Sequence, residues 1–110
     1  MSTDNPSEVL ERLFKVIESR KGGDADTSYT ANLLDGGAPK IGKKLSEEAA
    51  EVTIAALSEG KDAVARESAD LLYHLLVMWA AMGIAPEDVY AELNKREGTS
   101  GIDEKNSRQK

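Results

Sequence analysis

Two short acidic runs hold the residues best suited to chemistry in this sequence. Glu47-Glu48-Ala49-Ala50-Glu51 sets carboxylates in an EExxE pattern, and Glu67-Ser68-Ala69-Asp70 sets two more in an ExxD pattern. On a helix, side chains three positions apart share a face, so each run aims a pair of carboxylates at one point. Acidic groups gathered in this way repel one another and raise one another's pKa, and a divalent cation relieves the repulsion. An all-oxygen donor set in a chain without cysteine suits Mg²⁺, with Mn²⁺ as the alternative, rather than zinc. Lys40, Lys43 and Lys44 precede the first run, and ammonium groups there suit phosphates that would complete the coordination of a partly hydrated Mg²⁺.

Taken one helix at a time, a plainer reading accounts for the same residues. Glutamates favour helices and usually line a solvated face, and Lys43 and Lys44 each stand four residues before a glutamate. The pairing of the two runs is what favours a site, because both share one spacing and both lie against apolar stripes. On a wheel of about 100° per residue, Ile41, Leu45, Ala49, Val52 and Ala56 form one seam. Lys40, Lys44, Glu47, Glu48 and Glu51 fall beside it within an arc of about 100°. Ala65, Ala69, Leu72, Leu76 and Trp79 form a second seam, and Glu67, Asp70 and His74 share a separate stripe about 60° wide. An antiparallel hairpin around Gly60 sets the acidic stripes side by side, since Glu51 is nine residues before it and Asp70 ten after. His74, one turn beyond Asp70, is either a base or a core histidine with satisfied ring nitrogens, the commoner role for a lone histidine among leucines. Two roles are likewise open to Ser28, Tyr29 and Thr30: capping the helix they precede, or hydrogen-bonding a ligand.

The elements that must position these groups are helices. Asn5-Pro6-Ser7-Glu8 offers a cap, a proline at the first helical position and a capping-box glutamate. Val9, Leu10, Leu13, Phe14, Val16 and Ile17 then recur at helical spacing up to Gly22-Gly23. A loop with a short helical turn over Tyr29 to Leu34 comes next. A second helix is expected from near Pro39 to Glu59, a third from about Asp62 to Met82, and a fourth from Pro86 to before Gly98. No alternating run is long enough for a strand, so the expected fold is an all-α bundle of four to five helices. The domain is expected over residues 1–97, with residues 98–110 as a polar tail whose one large apolar residue is Ile102. The stretch LLYHLLVMWAAM is apolar nearly all round and must be covered on several sides. A second copy of the chain would do so in a homodimer, and so would a central position in a monomeric bundle.

Composition narrows the function classes. The chain has 110 residues, 40% hydrophobic and 31% charged, which suits one soluble domain. The absence of cysteine excludes a disulfide framework, thiolate-bound metal and a cysteine nucleophile. A formal charge of -6 argues against a nucleic-acid partner, which would demand a basic face. The apolar run is too short to span a bilayer, and the polar start lacks a secretory signal, so no membrane partner and a cytoplasmic location are expected.

The segments SYTANLL, GKKLSEEAAEVTIAA and ESADLLYHLLVMWAAMGIAPEDVYAELNKR resemble the phosphoribosyl-ATP pyrophosphohydrolases of histidine biosynthesis. The resemblance runs from about Ser28 into the SGIDEKNSR tail. More widely, EExxE followed by ExxD is similar to the motif of the all-α nucleotide pyrophosphohydrolases. The resemblance implies an obligate helical homodimer that acts as a phosphoribosyl-ATP diphosphatase. It hydrolyses the α–β phosphoanhydride of its nucleotide to phosphoribosyl-AMP and pyrophosphate, the second step of that pathway. The pyrophosphohydrolase part alone is expected here, since the cyclohydrolase to which it is fused in some organisms depends on cysteine-bound zinc.

On this reading Glu48, Glu51, Glu67 and Asp70 hold Mg²⁺, with Glu47 ligating directly or through water, and Glu47 or Glu51 takes the proton of the attacking water. Lys40, Lys43 and Lys44 are candidates for the phosphates, Lys44 with the best helical phase and Lys43 pointing away. Ser28, Tyr29 and Thr30 are candidates for the substrate, as are Lys105 and Arg108, which with Ser100 and Ser107 either fold over it as a lid or stay disordered. The sequence departs from the pattern in its irregular KGGDAD loop and at Ala85, where a Ser or Thr cap is usual. Two rival functions remain: a house-cleaning pyrophosphohydrolase acting on dUTP, dCTP or a damaged nucleotide, and a non-catalytic helical dimerisation module.

Overall fold

Four helices account for the computed structural model, which describes residues 8–97: α1 (Val9–Ser19), α2 (Tyr29–Ser58), α3 (Lys61–Met82) and α4 (Pro86–Arg96). There is no strand among the described residues, in keeping with the expected all-α bundle. The expected cap at Asn5-Pro6 and the tail from Gly98 onward, with Ser100, Ile102, Lys105, Ser107 and Arg108, lie outside the described residues.

The helix boundaries follow local chemistry. Ser28 has extended backbone angles, and its hydroxyl accepts from the Ala31 N–H at 3.1 Å, which decides one of its two open roles: it caps α2. Within α2 the chain breaks at Gly37 (φ 72°, ψ -170°), just ahead of Pro39, leaving a short arm over 29–36 and a long helix over 38–58. The short turn and the separate start near Pro39 expected from the sequence are these two pieces. At its C-terminus α3 closes on Gly83 in the left-handed region (φ 72°), and the Ile84 N–H reaches back to the Trp79 carbonyl at 2.9 Å. Ala85 lacks a capping side chain, and Asp88 compensates by accepting from the Ala85 N–H at 3.0 Å.

The core lies at one end of the α2–α3 hairpin. Phe14 and Ile17 of α1, Leu33 of the arm, Ile41 of α2, and Leu76, Val77, Trp79 and Ala80 of α3 form one buried cluster, with Ile84 and Val89 packed against it. Tyr90 of α4 donates to a Glu11 carboxylate oxygen of α1 at 2.6 Å, and burial, then this bond, push its phenol up to about 12. Much of the apolar stretch in α3 is therefore covered within a single chain. The other end of the hairpin has only Ala55 and Ala63 buried between residues 42 and 72. Ile54, Leu57 (83% exposed) and Leu72 (44% exposed) stand out from it.

The seams differ from the expected ones. Ala49, Ala56, Ala65 and Ala69 are exposed. The covered side of the outer hairpin runs instead through Ile41, Leu45, Glu48, Val52 and Ala55 on α2, and through Ala63, Glu67, Asp70, His74 and Val77 on α3, of which Asp70 alone is exposed. Both series alternate steps of four and three residues, the spacing of paired helices. Of the acidic stripes expected beside the helix contact, Glu48 and Glu67 occupy positions within it, whereas Glu47, Glu51 and Asp70 are exposed.

Candidate active site

That register brings three carboxylates to one place. One oxygen each from Glu48, Glu67 and Asp70 lies within 4.8 Å of the others, with Glu48 and Glu67 half-buried and Asp70 exposed. The Glu67 carboxyl is raised above its ordinary value, first by loss of solvent and then by the negative charges of Asp70, Glu51 and Glu48. Glu51 is thus an electrostatic neighbour of the group, although its side chain is exposed and outside the tight triad. Glu47 is exposed too and turns to Lys44, whose ammonium lies 3.3 Å from its carboxylate.

The arm of α2 closes one side of this group. The Tyr29 hydroxyl is 2.9 Å from His74 Nε2, and His74 Nδ1 is 2.8 Å from the backbone carbonyl of Asp70. Thr30 and Tyr73 pair through their hydroxyls. The rings of Tyr29 and Tyr73 stack at 6.4 Å, and His74 meets both edge-on, at 5.9 Å from Tyr29 and 5.2 Å from Tyr73. Loss of solvent raises the Tyr29 phenol; Lys44 lowers it, and Tyr73, Glu48 and Asp70 raise it further. Its hydroxyl therefore lies in the field of Lys44, Glu48 and Asp70. Hydrogen bonds engage both nitrogens of the buried His74, in line with the satisfied-core alternative.

The lysines divide. Lys44 lies with the acidic group, its ammonium pKa raised first by the hydrogen bond to Glu47 and then by Tyr29. Lys40 reaches back across the Gly37 break to the Asn32 side-chain oxygen, its aliphatic chain passing over Gly36. Lys43 is exposed. Two participants were not singled out from the sequence: Tyr73, which reads as one more member of an apolar run, and Asn32, whose role depends on the break.

Comparison with known proteins gives this arrangement a context. The family model described as Phosphoribosyl-ATP pyrophosphohydrolase matches residues 10–97, nearly all of the described chain. The chain belongs to the phosphoribosyl-ATP pyrophosphohydrolase family. A phosphoribosyl-ATP pyrophosphatase of Paramagnetospirillum magneticum is 61% identical over 104 residues, covering 94% of this chain and 95% of the relative. The enzymes of that name from Caulobacter vibrioides and Azospirillum brasilense are 56% and 54% identical; the matches cover 93% and 91% of this chain, and 94% and 90% of theirs. In this member of the phosphoribosyl-ATP pyrophosphohydrolase family, Glu48 of α2 meets Glu67 and Asp70 of α3, Lys44 pairs with Glu47 beside them, and Tyr29 of the arm bonds to His74 one turn beyond Asp70. No single helix among the described residues is long and apolar enough to cross a membrane.

Proposed function

We propose that this chain hydrolyses the α–β phosphoanhydride of phosphoribosyl-ATP, adding water to give phosphoribosyl-AMP and pyrophosphate, with Mg²⁺ as its metal. The meeting of Glu48, Glu67 and Asp70 within 4.8 Å carries this reading, together with the family to which the chain belongs. The donor set fits the ion: every ligand atom on offer is a carboxylate oxygen, and the Glu67 carboxyl is raised by loss of solvent and then by the negative charges around it, which a cation would offset. Bound there, Mg²⁺ would offset the charge that develops on the departing pyrophosphate.

The chain's own residues then take distinct parts. Glu48, Glu67 and Asp70 grip the ion, with Glu51 beside Glu67 completing the set. Glu47 and Glu51 are the two candidates to accept the proton of the attacking water. Glu47 is held by Lys44, whereas Glu51 has no ion pair among the described residues, so the base role falls to Glu51. Lys44 neutralises phosphate oxygens at the edge of the site, and Lys40 lies one turn behind it; Lys43 plays a lesser part from its exposed position. Ser28 sets the arm in place, while Tyr29 and Thr30 face the substrate. Lys105 and Arg108 of the tail add positive charge over the phosphates, a part of the proposal supported by sequence.

Assembly as a homodimer is part of the same reading. The apolar side chains of Ile54, Leu57 and Leu72 on the outer hairpin are the surface a second copy would cover. A polyanionic nucleotide does not cross membranes unaided, which favours a cytoplasmic enzyme. The decisive experiment offers phosphoribosyl-ATP, dUTP and dCTP with and without Mg²⁺ and measures pyrophosphate. Release from phosphoribosyl-ATP only when Mg²⁺ is present is expected; release from dUTP but not phosphoribosyl-ATP would overturn the assignment.

A further inference from the structure

The first two residues of α2, Tyr29 and Thr30, are tied to consecutive residues of α3, His74 and Tyr73, and the direction of one of these bonds has a chemical consequence. A backbone carbonyl can only accept, so the 2.8 Å contact of His74 Nδ1 with the Asp70 carbonyl places the ring hydrogen on Nδ1. The ring is buried, at 5% exposure, and has no carboxylate within ion-pair reach among the described residues. With its hydrogen on Nδ1, the neutral ring presents a bare lone pair at Nε2. The hydrogen in the 2.9 Å contact between Nε2 and Tyr29 therefore belongs to the phenol.

Tyr29 has only that one hydrogen to give. Its oxygen keeps lone pairs, its side chain is 53% exposed, and it lies in the field of Glu48, Asp70 and Lys44. An ionised phosphate oxygen is also acceptor-only and cannot bond to it. A sugar hydroxyl or a base amine can.

We propose that His74 is a positioning residue that makes Tyr29 an acceptor-only phenol, through which the site recognises a hydrogen-bond donor of the nucleoside part of its substrate rather than the phosphates. This inference rests on the reading of the acidic group as a nucleotide pyrophosphohydrolase site. The aromatic arm thereby becomes selective. Cation and lysine recognise phosphate, and an oxygen whose own hydrogen has been taken away recognises the nucleoside. A compound carrying phosphate alone gains nothing from the arm.

The test separates these parts by calorimetry in Mg²⁺ buffer, with phosphoribosyl-AMP and inorganic pyrophosphate as probes. Tyr29→Phe is expected to weaken phosphoribosyl-AMP about two- to tenfold, the worth of one hydrogen bond, and to leave pyrophosphate unchanged. His74→Leu, which frees the phenol hydrogen, should weaken phosphoribosyl-AMP without weakening pyrophosphate. His74→Gln, whose amide oxygen can accept from Tyr29, should restore much of the loss. An analogue of phosphoribosyl-AMP without sugar hydroxyls identifies the donor: insensitivity of its binding to Tyr29→Phe assigns a hydroxyl, and continued sensitivity assigns the base. Nitrogen NMR of the ring should show hydrogen on Nδ1 alone in the ligand-free protein. Hydrogen on Nε2, or equal weakening of pyrophosphate by Tyr29→Phe, would overturn the inference while leaving the enzymatic reading standing. Failure of the unsubstituted protein to bind either probe would instead bring down the enzymatic reading, and this inference with it.

Discussion

Replacing Asp70 with Asn should make the metal-free protein more stable and the enzyme inactive. The substitution keeps the size of the side chain and removes one of three negative charges whose oxygens lie within 4.8 Å of one another. At that separation two unit charges repel by roughly 0.9 kcal/mol in water and by about 3.5 kcal/mol at an effective dielectric of ~20. Asp70 is exposed, so the solvent-screened end applies, and relief of the Glu48–Asp70 pair alone is worth about 1 kcal/mol, with relief of the Glu67–Asp70 pair acting in the same direction. In a domain of this size ~1 kcal/mol moves Tm by roughly 4–8 °C. Thermal unfolding in chelator should therefore show Asp70→Asn melting higher than the unsubstituted chain, with the gap shrinking in high salt. Adding Mg²⁺ should reverse the order. A ligand at ~100 times its Kd stabilises the folded state by about 2.7 kcal/mol, a gain the variant forgoes to the extent that its site no longer holds the ion. A lower metal-free Tm for Asp70→Asn, or equal stabilisation of both chains by Mg²⁺, would refute the reasoning, because either result means the three carboxylates do not form a charge-strained cation cage.

Other consequences can be checked independently. Glu51→Gln is expected to lower pyrophosphate release by roughly 10²–10⁴-fold, the usual contribution of a general base, while circular dichroism shows unchanged helix content. The raised Glu67 carboxyl means that the folded, metal-free chain binds a proton more tightly than the unfolded one. That contribution is fully present below the ordinary value of 4.5 and is lost as pH rises through the raised folded value. Denaturant midpoints in chelator should fall over that window, and Glu67→Gln should flatten the fall. Ser28→Ala removes the cap on the Ala31 N–H and should cost about 1 kcal/mol in denaturant unfolding, without changing the slope of the transition.

Most of the scaffold was legible because it depends on local chemistry. The stops at Gly60 and Gly83, the proline opening α4 and the cap at Ser28 each act within a few residues, and the structure places helix ends close to where these residues put them. The acidic spacing was legible for the same reason: i,i+3 pairs share a face in any helix. The arm was only half legible. Tyr29 and Thr30 could be marked as interesting, but their partners, His74 and Tyr73, are more than forty residues away, and no periodicity links an arm to the helix it meets. Lys40 illustrates the same limit, since its bond to Asn32 exists only because the chain turns at Gly37.

The misplaced seam has a different cause. A helical wheel assigns the contact face to apolar residues, because burying them is what usually holds helices together. Here alanines at 49, 56, 65 and 69 satisfied that rule on paper, yet they are exposed. Glu48, Glu67 and His74, by contrast, lie on the covered side of the hairpin. The inversion makes physical sense if the hairpin is not required to stabilise itself. Its inner end is anchored by Ile41, Leu76, Val77 and Trp79 in the core with α1, so register is fixed there. The outer end is then free to place charge between helices at some cost in stability, which a bound cation would offset. A chain built for helix packing alone would fill positions 48 and 67 with leucine, and carboxylates there, joined by the exposed Asp70, are what the proposed cation site would require at a cost in stability.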